Sequence, residues 1–302
     1  MIDNLHLEKN KNSIYRIEGN KIVITNKEDF NIKHILECGQ IFRYEKLENG
    51  DYIVFTGDKF ATITETTHFY VIETTEPAFF VNFFDLDIDC SQIKSKLKNY
   101  NNSFLNNAIN FGYGIRIIKN SPYEMIISFI ISANNNIPRI KNSIKLICEA
   151  YGKNIYKNYY SFPTLEALEK ADEKFFKSVG LGYRASYLVE TIKMLKNINL
   201  ETLKQLDTPK LREKLMKLKG VGRKVADCIM LFGFNKMDVF PIDTWTNKVY
   251  LENFYQGEKT RPQIANYFTA LFGIFSGYAQ QYFYYWKQQD DSKNNKAKNN
   301  KN

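Results

Sequence analysis

Leu218-Lys219-Gly220-Val221-Gly222-Arg223-Lys224-Val225-Ala226-Asp227 joins two stretches of helical character by a very short connection. Pro209–Lys217 before it is amphipathic, and Lys224–Gly233 after it is mostly apolar. Two glycines in three residues permit a tight turn. The backbone N–H groups then stand free at the start of the second helix, where they can bind a phosphate oxygen. Taken alone, Gly220, Val221 and Gly222 favour an ordinary packing corner between helices.

Working outward, Phe240-Pro241-Ile242-Asp243-Thr244-Trp245 lies just downstream. Asp243 occupies an N-cap position before a further helix. By themselves, a capping Asp and a solvated Lys account for Asp243 and Lys224.

The rest of the chain divides by period. Ser13–Glu18, Lys21–Asn26, Gln40–Glu45, Asp51–Thr56, Lys59–Glu65 and Phe69–Glu73 are short runs rich in Ile, Val, Tyr, Phe and Thr, punctuated by turn residues. Their close spacing predicts an antiparallel sheet. Beyond about residue 80, helical periodicity marks Ser91–Lys98, Glu124–Ser132, Ile140–Tyr151, Leu165–Lys170, Asp172–Val179, Ala185–Asn197, Pro209–Lys217, Lys224–Gly233, Thr244–Glu252 and Pro262–Phe272. The expected class is α+β: an N-terminal antiparallel β-sheet domain with some helices over residues 1–115, then an all-α domain over 116–288. Residues 289–302 are Asp, Lys, Asn, Ser, Gln and Ala, and read as a disordered basic tail.

Composition narrows the class of partner. The 302 residues carry a formal charge of +9, which favours a polyanion such as nucleic acid, although a Lys-rich composition alone yields the same number. Cys38, Cys90, Cys148 and Cys228 are scattered, and there are three histidines, so no zinc or iron–sulfur site is expected, nor any other cofactor. The scattered cysteines and lack of a signal peptide fit the reducing cytoplasm, nucleoid-associated if bacterial, and a monomer is expected. No apolar run is long enough for a membrane span.

Further blocks join the hairpin and Asp243. They are Gly39-Gln40-Ile41-Phe42-Arg43, Ser121-Pro122-Tyr123-Glu124, Ser128 to Ile140 around the triple Asn134-Asn135-Asn136, Gly180-Leu181-Gly182-Tyr183-Arg184-Ala185, Lys224 to Cys228, and Gly277-Tyr278-Ala279-Gln280. In this order they resemble the 8-oxoguanine DNA glycosylase/AP lyase family of the helix–hairpin–helix superfamily. Lys219 stands where the superfamily usually has Pro. Thr244-Trp245 replaces the Val-His of animal members, and Tyr284 replaces their Phe.

The resemblance implies a repair enzyme acting on double-stranded DNA that contains oxidised guanine. Lys224 is implied to attack C1′, forming a Schiff base that undergoes β-elimination, and Asp243 to stabilise the sugar cation. Gly39, Cys228, Gln280 and Tyr284 are implied to hold the flipped base. Asn134, Arg139 and Arg184 would read the opposite cytosine, with Tyr183 as the wedge. A neutral amine is needed for attack, so the Lys224 pKa should be lowered by burial and by the helix dipole. A close Lys224–Asp243 contact would act the other way and should be displaced by substrate. A pyrimidine-specific relative would carry a four-Cys cluster motif, which is absent. A hairpin that merely grips DNA would not need Lys224 and Asp243.

Overall fold

The computed structural model describes the backbone of residues 14–299, with side chains through 291. Six strands form one antiparallel sheet: β1 (Tyr15–Glu18), β2 (Lys21–Ile24), β3 (Tyr44–Lys46), β4 (Tyr52–Thr56), β5 (Lys59–Glu65) and β6 (Tyr70–Glu73), ordered β1-β2-β6-β5-β4-β3. Alternation along the strands turns Ile22, Ile24, Val54, Ile63 and Ile72 into a core shared with α1 (Ile32–Glu37) and α2 (Pro77–Phe83). On the other face, Phe55 and Phe60 meet Tyr159 and Tyr156 at 4.5 and 4.6 Å between ring centroids. Those tyrosines belong to a small hairpin, β7 (Asn154–Tyr156) and β8 (Tyr159–Tyr160), within the region expected to be all helical.

The remainder is helical. α3 (Cys90–Lys98) and α4 (Ser103–Phe111) precede α5 (Pro122–Ser132) and α6 (Ile137–Tyr151). Then come α7 (Leu165–Leu168), α8 (Glu173–Ser178), α9 (Arg184–Leu195), α10 (Leu200–Lys204) and α11 (Thr208–Leu215). α12 (Arg223–Gly233), α13 (Thr244–Asn253), α14 (Arg261–Phe272) and α15 (Ser276–Asn299) complete the array. Ile93, Leu97, Leu105 and Ile109 of α3 and α4 join the helical core, so the sheet and helical parts interlock. Among the described residues no helix is long and apolar enough to cross a membrane.

Two further expectations need correction. The run Gln40–Glu45 pairs as a strand only from Tyr44. Gln40 is fully buried, its amide donating to the carbonyls of Ile35 and Arg116, each at 2.8 Å, and accepting from Ile118 N at 2.9 Å. That side chain fastens a loop rather than a ladder. The predicted tail is also different, because α15 continues to Asn299. No Gly or Pro follows Gly277, and Asp291 pairs with Lys287 one turn back and with Lys248 on α13. Ser13 and residues 300–302 lie outside the described residues.

Two buried arginines join the parts. Arg43 pairs with the buried Glu124 of α5 and donates to Gly57 O and Tyr160 O, at 3.1 and 2.7 Å. Arg116 is wholly enclosed and donates to the carbonyls of Phe84, Asp29, Asp85 and Ile88. Replacing it with Leu strands those acceptors, and Lys cannot reproduce the planar fork. Arg116→Leu should lower the unfolding free energy by about 3 kcal/mol or more in urea denaturation, with Arg116→Lys recovering only part. A loss below about 1 kcal/mol would mean that packing, not the fork, holds this junction.

Candidate active site

The hairpin between α11 and α12 is as tight as its glycines allow. Gly220 adopts φ +78, and a Cβ there would lie 2.6 Å from Tyr187 Cδ2. Gly222 is the N-cap of α12 and supplies no side-chain acceptor, so first-turn N–H groups are left for an outside one. Thr191 Oγ1 donates to Lys219 O at 3.0 Å and holds the turn against α9. Tyr183 is 53% exposed and lines a shallow groove with Gly220, Val221 and Gly222.

Lys224 and Cys228 project from one face of α12, one turn apart. They open into a pocket of about 460 Å³ that is also lined by Gly39, Asn134, Asp243, Gln280 and Tyr284. Thus residues from five separate stretches meet in one cavity. Asp243 is fixed by a capping box: its Oδ1 accepts from Thr246 N at 2.8 Å and Thr246 Oγ1 at 2.9 Å. Gln281 Nε2 donates to Gln280 Oε1 at 2.7 Å, which leaves the Nε2 of Gln280 uncommitted. The Tyr284 ring lies against Gly39, where φ is +79 and a Cβ would sit 2.9 Å from the ring.

Residues 22–126 match the model of the 8-oxoguanine DNA glycosylase N-terminal domain, and 127–272 that of the HhH-GPD superfamily base excision DNA repair proteins. An N-glycosylase/DNA lyase of Saccharomyces cerevisiae is 39% identical over 45% of this chain and 41% of its own. A probable N-glycosylase/DNA lyase of Methanothermobacter thermautotrophicus is 30% identical over 66% of this chain and 70% of its own. The Clostridium acetobutylicum 8-oxoguanine glycosylase/lyase, solved with double-stranded DNA containing cytosine opposite 8-oxoguanine, is 36% identical with a TM-score of 0.87. That match covers 92% of this chain and 98% of the clostridial one. The chain belongs to the 8-oxoguanine DNA glycosylase family.

In this glycosylase the electrostatics of Lys224 depart from expectation. Burial pushes the amine down, but the Cys228 sulfur and the Asp243 carboxylate outweigh it, and the lysine sits above its ordinary value. Burial also raises the Cys228 thiol, to about 11. Of the two neighbours that raise the lysine, Cys228 comes first and Asp243 second. Asp243 acts through space: no direct Lys224–Asp243 ion pair forms among the described residues. The amine lies 5.8 Å from the Phe129 ring centroid.

The residues expected to read the opposite base divide. Asn134 and Arg139 are exposed, Asn134 with φ +49. Arg184 is buried and donates to the carbonyls of Ala133, Asn134 and Leu181, so its guanidinium is committed to the loop that carries Asn134. Reading a cytosine with Arg184 requires those bonds to be released or shared. Sequence reasoning gave no site role to Phe129, Trp245, Gln281 or Arg261, which also line the pocket. Gln281 adjoins Gln280 and Trp245 follows Asp243 closely, but nothing local marks Phe129 or Arg261.

Gly39→Ala forces a Cβ into the Tyr284 ring at a left-handed position. It should lower the unfolding free energy by ~1–2 kcal/mol and weaken affinity for a lesion-bearing duplex. Denaturation and DNA titration check it. An Ala variant that binds as tightly as the parent would show that Tyr284 moves aside freely.

Proposed function

We propose that this protein is a bifunctional DNA glycosylase/AP lyase that excises 8-oxoguanine from duplex DNA, preferentially opposite cytosine. The observation that carries the reading is the convergence of Lys224, Cys228, Asp243, Gly39, Gln280 and Tyr284 on one pocket beside a hairpin with unfilled N–H groups. A base inside the duplex is out of reach, so the nucleotide must swing out. Cys228 and Tyr284 then flank the base, and Gln280 meets its pairing edge.

The neutral Lys224 amine bonds to C1′ as the C1′–N9 bond breaks, its electron pair leaving with the base, which takes up a proton. The nitrogen sheds its proton, the sugar ring opens to a Schiff base, and loss of a C2′ proton expels the 3′ phosphate oxygen. Positive charge develops on the sugar along the way, and the fixed Asp243 carboxylate opposes it. At neutral pH the lysine is largely protonated, so the free enzyme's kcat/KM should climb about tenfold per pH unit from roughly 6.5 to 8.5. Asp243→Asn removes one of the two neighbours that raise the lysine. It should therefore move the rising limb to lower pH while the maximal rate falls. A profile flat across that range in the parent enzyme would remove Lys224 from the rate-determining step.

The decisive experiment is excision from an 8-oxoguanine–cytosine duplex with borohydride trapping. Lys224→Gln should abolish both excision and trapping while duplex binding persists. Normal trapping by that variant would overturn the nucleophile assignment. Guanine lacks the N7 proton of the lesion and should be spared. We infer that Gly39 accepts that proton through its main-chain carbonyl, so guanine would leave a buried acceptor unpaired at ~1–3 kcal/mol. Asn134 and Arg139 offer one acceptor and several donors, a match for the donor and two acceptors of cytosine. Excision opposite adenine should be about tenfold or more slower; equal rates would refute the opposite-base reading.

A further inference from the structure

Eight arginines fall within the described residues. Arg16, Arg43, Arg116, Arg184, Arg212 and Arg223 are each held by a carboxylate, a carbonyl or a side-chain amide. Arg139 and Arg261 are exposed, and the side chain of neither has an ion pair or hydrogen bond. Arg139 already has a reading at the opposite base. Arg261 does not, yet it lines the same pocket as Lys224 and Asp243.

Its position makes little sense for stability. Arg261 opens α14, followed by Pro262, and a cation in a first helical turn opposes the dipole. The nearest acidic residue in sequence, Glu258, is exposed and does not pair with it. An arginine left unpaired at the mouth of a pocket meets its partner only when the ligand arrives. The mouth is also where the backbone of a flipped nucleotide stays, since the base turns inward about its own phosphates. The pairing edge of the base is met deeper, at the buried Gln280. A guanidinium fork suits two phosphate oxygens better than it suits a sugar.

We propose that Arg261 is a positioning residue that clamps a backbone phosphate flanking the flipped nucleotide and so holds C1′ before Lys224. The proposal rests on the reading that duplex DNA is the substrate. Its test uses the full chain and a duplex carrying a tetrahydrofuran abasic analogue, which binds without being cleaved at a glycosidic bond. The phosphates flanking the analogue are replaced one at a time by neutral methylphosphonates, and affinity is measured for the parent, Arg261→Gln and Arg261→Lys. Arg261→Gln should bind the all-phosphate duplex about tenfold more weakly. At one flanking position the methylphosphonate should weaken the parent by a similar factor and Arg261→Gln hardly at all. The salt slope should shrink by about 0.9, as for one lost phosphate contact. Arg261→Lys should retain part of the affinity. Equal methylphosphonate losses in parent and Arg261→Gln at every position would overturn the proposal, as would parent-like binding by Arg261→Gln. Failure of 8-oxoguanine excision would instead fall on the proposed activity, because the analogue requires no base release.

Discussion

The close approach of α5 and α12 is the constraint on which the site depends. A Cβ at Gly233 would lie 3.0 Å from Pro122 Cα and 3.2 Å from Met125 Cβ, so only glycine lets the two helices meet there. Phe129 and Phe232 stack across the contact at 5.5 Å. The start of α15 is pressed in the same way, since a Cβ at Gly277 would meet Leu231 Cδ1 at 2.5 Å. α12 carries Lys224 and Cys228, α5 brings Phe129 beneath the amine, and α15 brings Gln280 and Tyr284. Interiors are close-packed, so a displacement at any of these contacts moves a wall of the pocket.

Much of this was legible because it is local. The double glycine, the N-cap at Asp243 and the i,i+4 pairs Lys224/Cys228 and Gln280/Tyr284 follow from helix geometry and turn chemistry, which act over a few residues. Strand positions of the N-terminal sheet were legible for the same reason, apart from Gln40–Arg43, whose role depends on carbonyls far away in sequence; the hairpin β7–β8 was missed. Which distant stretches meet at the pocket came from family resemblance and not from periodicity. What stayed hidden is long-range. Nothing near Arg184 announces that its guanidinium is spent on the Ala133 and Asn134 carbonyls, and nothing near Arg261 announces that it is unpaired. The end of α15, from residue 289, was read as a tail because composition ignores the tertiary partner at Lys248 that anchors Asp291.

The same long-range bonds define a poised state. Arg184 ties α9 to the end of α5 through two carbonyls, one of them on the left-handed Asn134. Asn tolerates that conformation better than most residues, and the arginine keeps the loop from relaxing out of it. The loop is therefore shaped before DNA arrives, and little ordering cost remains at binding. Tyr183, the residue expected to act as the wedge, precedes Arg184 directly, with the guanidinium 4.5 Å from its ring centroid, so the fixed arginine also braces the exposed ring.

Charge in the pocket follows from the same economy of fixed groups. In the resting enzyme the Cys228 sulfur and the Asp243 carboxylate together offset the burial of one ammonium. On the proposed mechanism the sugar acquires positive charge as its base departs, and it competes with Lys224 for that carboxylate. The hold on the ammonium weakens as the hold on the sugar grows, which favours the neutral amine at the moment of attack. Asp243 does not move to achieve this, because the capping box with Thr246 locks it at the head of α13. A stationary charge that stabilises the ammonium before the reaction and the sugar cation during it binds the transition state differentially without reorganisation.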